Sequence, residues 1–392
     1  MDIKSYNPQE VAAQILEKLK EAQKNMTNLN VMVFGITGVG KSTLINNVFS
    51  ENLAEIGVGR PITMHIRKYS KEGFPLSIYD SPGLELKGDN SVDNLLKEAV
   101  DVVNDGIKGG DISKAIHCAW YCISAESSRI QESEMNFIRS FIEKTNNTVP
   151  VIIVLTKSYI KENAQSLKSA IEKENLPIAQ IVPVLAMDTP IDEEYVKKSF
   201  GLDRLVEIME SVVDESVKNT LAAVQKASIQ IKVNKAHTIV VASAAAAATT
   251  GAAPIPFSDA VLLIPEEVSM LAGITAVFGL PVEKATLSAL ISSTIGTTGA
   301  TVLGKTIVSG ILKMIPGVGS FVGGAISASV AAALTTALGE TYIAIMKLVM
   351  NGEMSVSDIS SEKGKEKITA IFKERMSIKR KDNGEAEEPT EV

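Results

Sequence analysis

Between residues 30 and 215, short apolar runs alternate with longer stretches whose apolar positions recur every three or four residues. The runs at 30–35, 63–70, 75–80, 116–124, 149–156 and 180–186 read as strands. The stretches near 41–50, 91–104, 131–146, 160–175 and 201–215 read as helices. This alternation predicts an α/β, doubly wound domain whose ligand loops gather at the strand C-termini. Ahead of it, Asn7-Pro8-Gln9-Glu10 combines an N-cap, a proline at the first helical position and a glutamate that reaches back. Val11, Ile15, Leu16 and Leu19 then share one face, so an amphipathic helix is expected over residues 8–25.

The pattern changes after residue 237. Of the 113 positions from 238 to 350, nine are Asp, Glu, Lys or Arg, against 22% charged residues in the whole chain. The stretches 238–258, 285–304 and 314–339 carry no charge. Ser288, Ser292, Gly296, Ala300 and Gly304 recur every four residues, as do Gly319, Gly323, Ser327, Ala331, Thr335 and Gly339. On helices these become small-residue stripes that let two backbones approach closely. Ile315-Pro316-Gly317-Val318-Gly319 supplies a turn between them, so a tight helical hairpin is expected.

Two settings suit such a hairpin. The 26 uncharged residues of 314–339 are long enough for a hydrocarbon core, with Lys305 and Lys313 as anchors. A water-soluble bundle of Ala/Gly-rich helices suits the mild mean hydropathy of +0.15 equally well. Asp259, Glu266 and Glu267 border the apolar segments and would mark an interface or polar positions in a bundle core. The basic run Lys373–Lys381 suits either an anionic surface or a solvated helix end. The chain therefore divides into an N-terminal amphipathic helix (1–27), an α/β domain (28–215), an all-α, Ala/Gly-rich hydrophobic domain (216–350) and a polar, partly disordered tail (351–392).

Charge and cysteine usage narrow the function. A net charge of −7 argues against nucleic acid as the partner. Cys118 and Cys122 share one face of a strand with no metal-ligating companions, and His65, His117 and His237 are scattered, so no zinc or proton-relay site is expected. The N-terminus lacks a basic-then-apolar leader pattern, which favours a cytoplasmic location, with membrane association or insertion open through residues 238–350.

The chemistry lies in Gly35-Ile36-Thr37-Gly38-Val39-Gly40-Lys41-Ser42, which fits the phosphate-binding pattern G-x-x-x-x-G-K-[ST] between the strand ending at Phe34 and the helix entered through Thr43. Glycines let successive amides converge on phosphate oxygens, and the helix N-terminus adds positive partial charge. Lys41 is the residue to reach the β/γ-phosphates, and the Ser42 hydroxyl is a Mg²⁺ ligand. Asp80-Ser81-Pro82-Gly83 ends the next strand: Asp80 would hold Mg²⁺ through water and the Gly83 amide would sense the γ-phosphate. Thr63 offers a hydroxyl that folds over the metal. Lys41, Thr63 and Gly83 are thus the catalytic candidates, and Ser42, Thr63 and Asp80 the metal candidates.

The segments "GITGVGKSTLINNVF", "GVGRPITMHI", "IYDSPGLE", "VIIVLTKS", "IVPVLA" and "FGLDRLVE" resemble the Era-like, translation-factor-class P-loop GTPases, over roughly residues 28–215. Immunity-related GTPases are a more distant likeness. "AAPIPFSDAVLLIPEEVSML" from Ala252 and "KMIPGVGSFVGGAISASVAAALTTALGE" from Lys313 resemble the helical domain of unknown function of the YcjF group. The resemblance implies GTP/GDP as ligand, Mg²⁺ as cofactor, base contacts from Thr156, Lys157, Leu185 and Ala186, and self-association through the G domain as a candidate mode. It also implies a helical partner domain linked to a membrane or to another protein.

Two departures from that family stand out. The guanine-reading pattern [NT]-K-x-D appears as Thr156-Lys157-Ser158-Tyr159, without its carboxylate; Asp188 is the nearby acid that could stand in or remain a solvated loop residue. Leu84 follows Gly83 where a water-orienting Gln is common, so intrinsic hydrolysis should be slow and dependent on help in trans. Arg60, His65 and Arg67 are candidates to stabilise charge, or plain polar positions of a half-exposed strand. The expected function is a slow, association-stimulated GTPase switch acting on its helical domain. The alternatives are a non-hydrolysing nucleotide-bound scaffold and a nucleotide-gated, membrane-inserting or pore-forming effector.

Overall fold

The computed structural model describes residues 8–50, 65–82, 89–127, 129–192, 194–250, 265–279, 284, 287–288, 328–355 and 357–382. They divide into two compact units: residues 25–231, and the chain from 232 onward together with the N-terminal helix.

The first unit is built on a six-stranded sheet of order β2-β3-β1-β4-β5-β6. The strands are β1 (Leu29–Phe34), β2 (Arg67–Lys71), β3 (Phe74–Asp80), β4 (Cys118–Ser124), β5 (Val151–Thr156) and β6 (Gln180–Pro183). All neighbours are parallel except β2 and β3. The central strands β1 and β5 are buried along their whole length, which is why they read as continuous apolar runs rather than alternating ones. With α1 (Pro8–Lys24) as the N-terminal helix, α2 (Lys41–Val48), α3 (Asp89–Ile107), α4 (Glu132–Lys144) and α5 (Lys161–Glu172) lie between the strands and α6 (Leu202–Val212) follows β6, as the alternation predicts. On one sheet face, Phe34 meets Phe137 and Phe141 edge-on at 5.1 Å, surrounded by apolar residues of α3, α4 and α5. On β4, Trp120 stacks on Phe49 at 5.7 Å. Cys118 and Cys122 are free, buried thiols that burial pushes up to about 12.

The first compact unit extends to Ile231. Helix α7 (Glu215–Val224), capped by Asp214, packs on β1 and β3. Beyond it the chain pairs with the end of α2: Ser50 N donates to Val224 O at 2.8 Å and Lys226 N to Val48 O at 2.9 Å. A short antiparallel ribbon, β7 (Thr189–Pro190) with β8 (Val196–Lys197), is a second element the apolar pattern does not announce.

The second unit is helical. Its described helices are α1 (Pro8–Lys24), α8 (Ile229–Thr250), α9 (Pro265–Phe278), α10 (Ala328–Met350) and α11 (Glu362–Asp382). The amphipathic α1 buries Ala12 and Ile15 and lies against α9, so it belongs with the helical unit despite preceding β1. Residues 362–382, read as part of a polar tail, form α11, which buries Ile368 and Phe372. Gly339 is the described end of the second small-residue stripe. A Cβ on Gly339 would meet Val240 at 2.4 Å and Met270 at 3.0 Å, so three helices close on this glycine. Polar pairs fill the same seam: Thr275 with Tyr342 at 2.6 Å, Thr335 with Glu267 at 3.2 Å, and His237 with Glu340 at 2.7 Å. Glu267 thus serves as a polar position inside the bundle. The turn at 315–319, the stripe beyond Ser288 (292–304), Asp259, Lys305 and Lys313 lie outside the described residues. No described helix is long and apolar enough to cross a membrane.

One buried cation is unusual. Lys232, fully buried in α8, donates to Val277 O and Phe278 O at 3.0 Å each, satisfying the C-terminal carbonyls of α9. Burial brings its ammonium down to about 7. A folded-state pKa below the unfolded value means that folding releases a proton at higher pH, so stability rises as pH climbs from about 7 toward 10. The expected slope is about 1.4 kcal/mol per pH unit in the transition that melts this unit. Urea melts at pH 7.5 and 9 should show this gain in the native chain and lose it in Lys232→Met; equal slopes would contradict it.

Candidate functional site

Local geometry at residues 35–42 follows from three glycines. Gly35 (φ 141°) lies so close to β4 that a Cβ would sit 2.6 Å from Cys122 O. Gly40 (φ 104°), in the left-handed region that side chains avoid, is the N-cap of α2 and turns the chain into the helix. Gly38 is also left-handed, at φ 75°. The loop therefore wraps from β1 to the N-terminus of α2 with Thr37, Val39, Ser42 and Thr43 on its course. At that terminus unpaired amides and the helix dipole favour an anion.

Lys41 is buried on the first turn of α2, and its ammonium curls back to Gly35 O at 2.9 Å and Ile36 O at 3.5 Å. These bonds hold a positive charge over the concavity of the loop. On the neighbouring strand β3, Asp80 is aligned with Val33 of β1 in the parallel register. Its carboxyl is pushed up to about 6, mainly by burial, against the pull of Lys41 and Arg67. Among the described residues, Asp80 Oδ1 and Ser81 Oγ are buried without a hydrogen-bond partner. A buried acceptor of this kind needs a ligand, a cation or water to offset its desolvation. With the Ser42 hydroxyl at the start of α2, the set suits Mg²⁺, which prefers few protein oxygens and takes the rest from phosphates and water. Among the described residues no cluster of three or more His, Cys, Asp or Glu competes as a metal site.

The β5–α5 turn forms the adjoining wall. Thr156 Oγ1 lies 2.6 Å from Val39 O and 3.2 Å from Ile123 O, fastening this turn to the phosphate loop. Lys157 has φ 52°, and its ammonium lies 3.6 Å from Glu126 in the short 3-10 turn after β4. Ser158 is buried and donates to Leu155 O at 2.8 Å. Leu185 pairs through both backbone groups with Phe200, and Ala186 follows it. The structure thus brings Gly35, Thr37, Gly38, Val39, Gly40, Lys41, Ser42, Thr43, Asp80, Thr156, Lys157, Leu185 and Ala186 to the carboxyl edge of one sheet. That edge is where doubly wound folds bind ligands.

Other candidates fall elsewhere. Thr63, Gly83, Arg60 and Leu84 lie outside the described residues. His65 is exposed and 3.6 Å from Glu98. Arg67 sits opposite Asp80 across the β2–β3 ladder and acts on its charge. Asp188 accepts from Lys198 at 2.8 Å and from the Ser199 amide at 2.8 Å, so its carboxylate is engaged by its own loop. Glu126 was not legible as a site residue. Its only signal is an acidic residue just past a buried strand, and pairing with Lys157 depends on the fold.

Residues 30–184 match the family model described as 50S ribosome-binding GTPase, and residues 215–381 match the domain of unknown function DUF697. Neuronal-specific septin-3 of Danio rerio is 25% identical over 186 residues, covering 41% of this chain and 50% of that protein. Septin-9 of Rattus norvegicus is 27% identical over 161 residues, covering 35% of this chain and 28% of septin-9. The chain thus spans about half the length of the septin-3 relatives it matches, and less of septin-9. Among solved structures, Era in complex with MgGDPNP and 16S ribosomal RNA is 20% identical, covering 53% of this chain and 67% of that one, with a TM-score of 0.34. Toc33 from Arabidopsis thaliana with Mg²⁺ and GMPPNP is 19% identical, covering 55% and 93%, with a TM-score of 0.31. This chain thus joins a region that matches the 50S ribosome-binding GTPase model, a P-loop G domain, to a helical region that matches DUF697.

Proposed function

We propose that the chain is a GTP-dependent switch that hydrolyses GTP slowly and uses its helical domain as the output. The observation that carries this reading is the cradle at residues 35–42, with the Lys41 ammonium held over it and the base-side turn fastened to it through Thr156. The amides of the loop and the N-terminus of α2 bind the phosphate tail, and Lys41 neutralises charge between the β- and γ-phosphates. Ser42 and Asp80 would hold Mg²⁺, which when bound draws charge from the phosphate oxygens. Thr156 orients the wall against which a base would lie, and Lys157 lays its stem along it.

Slow turnover follows from Leu84, whose apolar side chain cannot orient a water molecule. Self-association through the G domain, or another partner, would supply the missing orientation. The helical domain, with its small-residue seams and long uncharged stretches, is the surface for a membrane or a protein partner.

Two measurements test this reading. In titration calorimetry, Lys41→Ala should abolish Mg²⁺-GTP uptake, and Thr156→Val should weaken it on the order of tenfold by freeing the base-side turn. Binding unchanged in both variants would contradict the site. In turnover assays, the rate per molecule should be low and should rise with protein concentration, on the scale by which help in trans accelerates such enzymes (about 10³-fold or more at saturation). Fast, concentration-independent hydrolysis would refute the dependence on association, and none in any condition would leave a nucleotide-bound scaffold.

A further inference from the structure

Two walls flank the space beside the phosphate loop, and their hydrogen-bonding groups differ in how far they are already used. On the β5–α5 wall, the Thr156 hydroxyl is engaged by Val39 and Ile123, and Ser158 turns inward to Leu155. Tyr159 is fixed through its backbone. Its amide donates to Lys157 O at 2.7 Å and its carbonyl accepts from Lys197, which reaches across from β8. The ribbon β7–β8 therefore holds residue 159 in place, and the residue so held brings a phenol rather than a carboxylate.

The opposite wall leaves β6. The Ser158 amide donates to Val184 O at 3.2 Å, which binds the two walls together. Leu185 spends both backbone groups on Phe200, whereas the Ala186 amide makes no hydrogen bond among the described residues. Two carboxylates stand nearby, and both are engaged. Glu126 faces the Lys157 ammonium at 3.6 Å, and Asp188 is held by Lys198 and the Ser199 amide.

The chemistry of purine edges translates this inventory into selectivity. A main-chain N–H at Ala186 complements an oxygen at purine C6 and opposes an amino group there, because two donors would meet. Reading the N1–H and the 2-amino group of guanine takes an acceptor pair, for which an ionised carboxylate is the matching side chain. Discrimination of this kind arises when a site's own buried polar group is left unpaired by the wrong ligand. Without a free carboxylate on either described wall, nothing is left unpaired when the 2-amino group is missing.

We propose that this site takes 6-oxopurine nucleotides as a class and does not read the substituent at C2, so that inosine and guanosine triphosphates bind alike. The inference rests on the nucleotide-binding reading above and specifies which bases that site takes. Tyr159 is the specificity-determining position: it closes the wall through its backbone while withholding the carboxylate's pair of acceptors.

Calorimetric titration of the full chain with the Mg²⁺ complexes of GTP, ITP and ATP tests this directly. GTP and ITP should bind within about fivefold of one another, with ATP weaker than both by at least about tenfold. A preference for GTP over ITP beyond fivefold, lost with all binding in Lys41→Ala, would overturn the inference while leaving the nucleotide site intact. ATP binding as well as GTP would also overturn it. Restoring a carboxylate by Tyr159→Asp should raise the GTP-to-ITP preference by at least about tenfold; an unchanged ratio in a variant that still binds GTP would show that residue 159 does not face the base. The wild-type ratio carries the test should that variant misfold. Failure of all three nucleotides to bind, or binding that survives Lys41→Ala, would overturn the nucleotide-binding reading itself.

Discussion

A single hydroxyl, Thr156 Oγ1, fastens the two halves of the site to one another. It bridges Val39 of the phosphate loop and Ile123 at the end of β4, so three consecutive sheet positions share one side chain at their carboxyl edge. The loop that depends on it has little freedom of its own. Gly35 is pressed against Cys122 O, at a distance no Cβ could tolerate, and Gly40 turns the chain into α2 with a left-handed φ. Preorganisation of this kind places amide donors before any anion arrives, so binding energy is not spent on assembling them.

Charge is distributed around that frame with the same economy. Lys41 stays buried by spending its protons on two loop carbonyls, while Asp80 is raised by burial and restrained by Lys41 and Arg67. Asp80 Oδ1, unpartnered among the described residues, is a polar atom that protein folding alone would not favour. Its position beside the loop gives it a reason that the core does not. The helical unit solves a different problem, the close packing of weakly amphipathic Ala/Gly-rich helices. Small residues such as Gly339 bring backbones close, and threonine, tyrosine, histidine and glutamate pairs fill the seam.

Much of this was legible in the chain because periodicity and spacing report local physics. The six sheet strands, the crossover helices and the phosphate loop all follow from patterns of 2, 3.6 and fixed glycine positions. What stayed hidden depends on distant neighbours. Helix α7 opens the stretch that matches DUF697, and its Val217 and Leu221 are buried in the first compact unit. Helix α11 looks like tail because most of its positions are charged, and only Ile368 and Phe372 betray a packed face. The β7–β8 ribbon has two-residue strands, too short for any periodicity to register. Among site residues, Lys41, Ser42 and Asp80 were visible by motif. The pairing of Glu126 with Lys157 and the grip of Lys197 on Tyr159 needed the fold. Asp188 is an example in the other direction, a plausible base reader whose carboxylate its own loop already holds.

Hydrogen–deuterium exchange of the full chain, with and without Mg²⁺-GTP, tests the central claim most directly, because the claim concerns main-chain amides. The amides of residues 35–42 and the first turn of α2 should gain protection on nucleotide addition, with a second gain across Thr156–Tyr159 and none required in β2. Unchanged exchange at residues 35–42 under saturating nucleotide would contradict the account, whatever else in the chain responded.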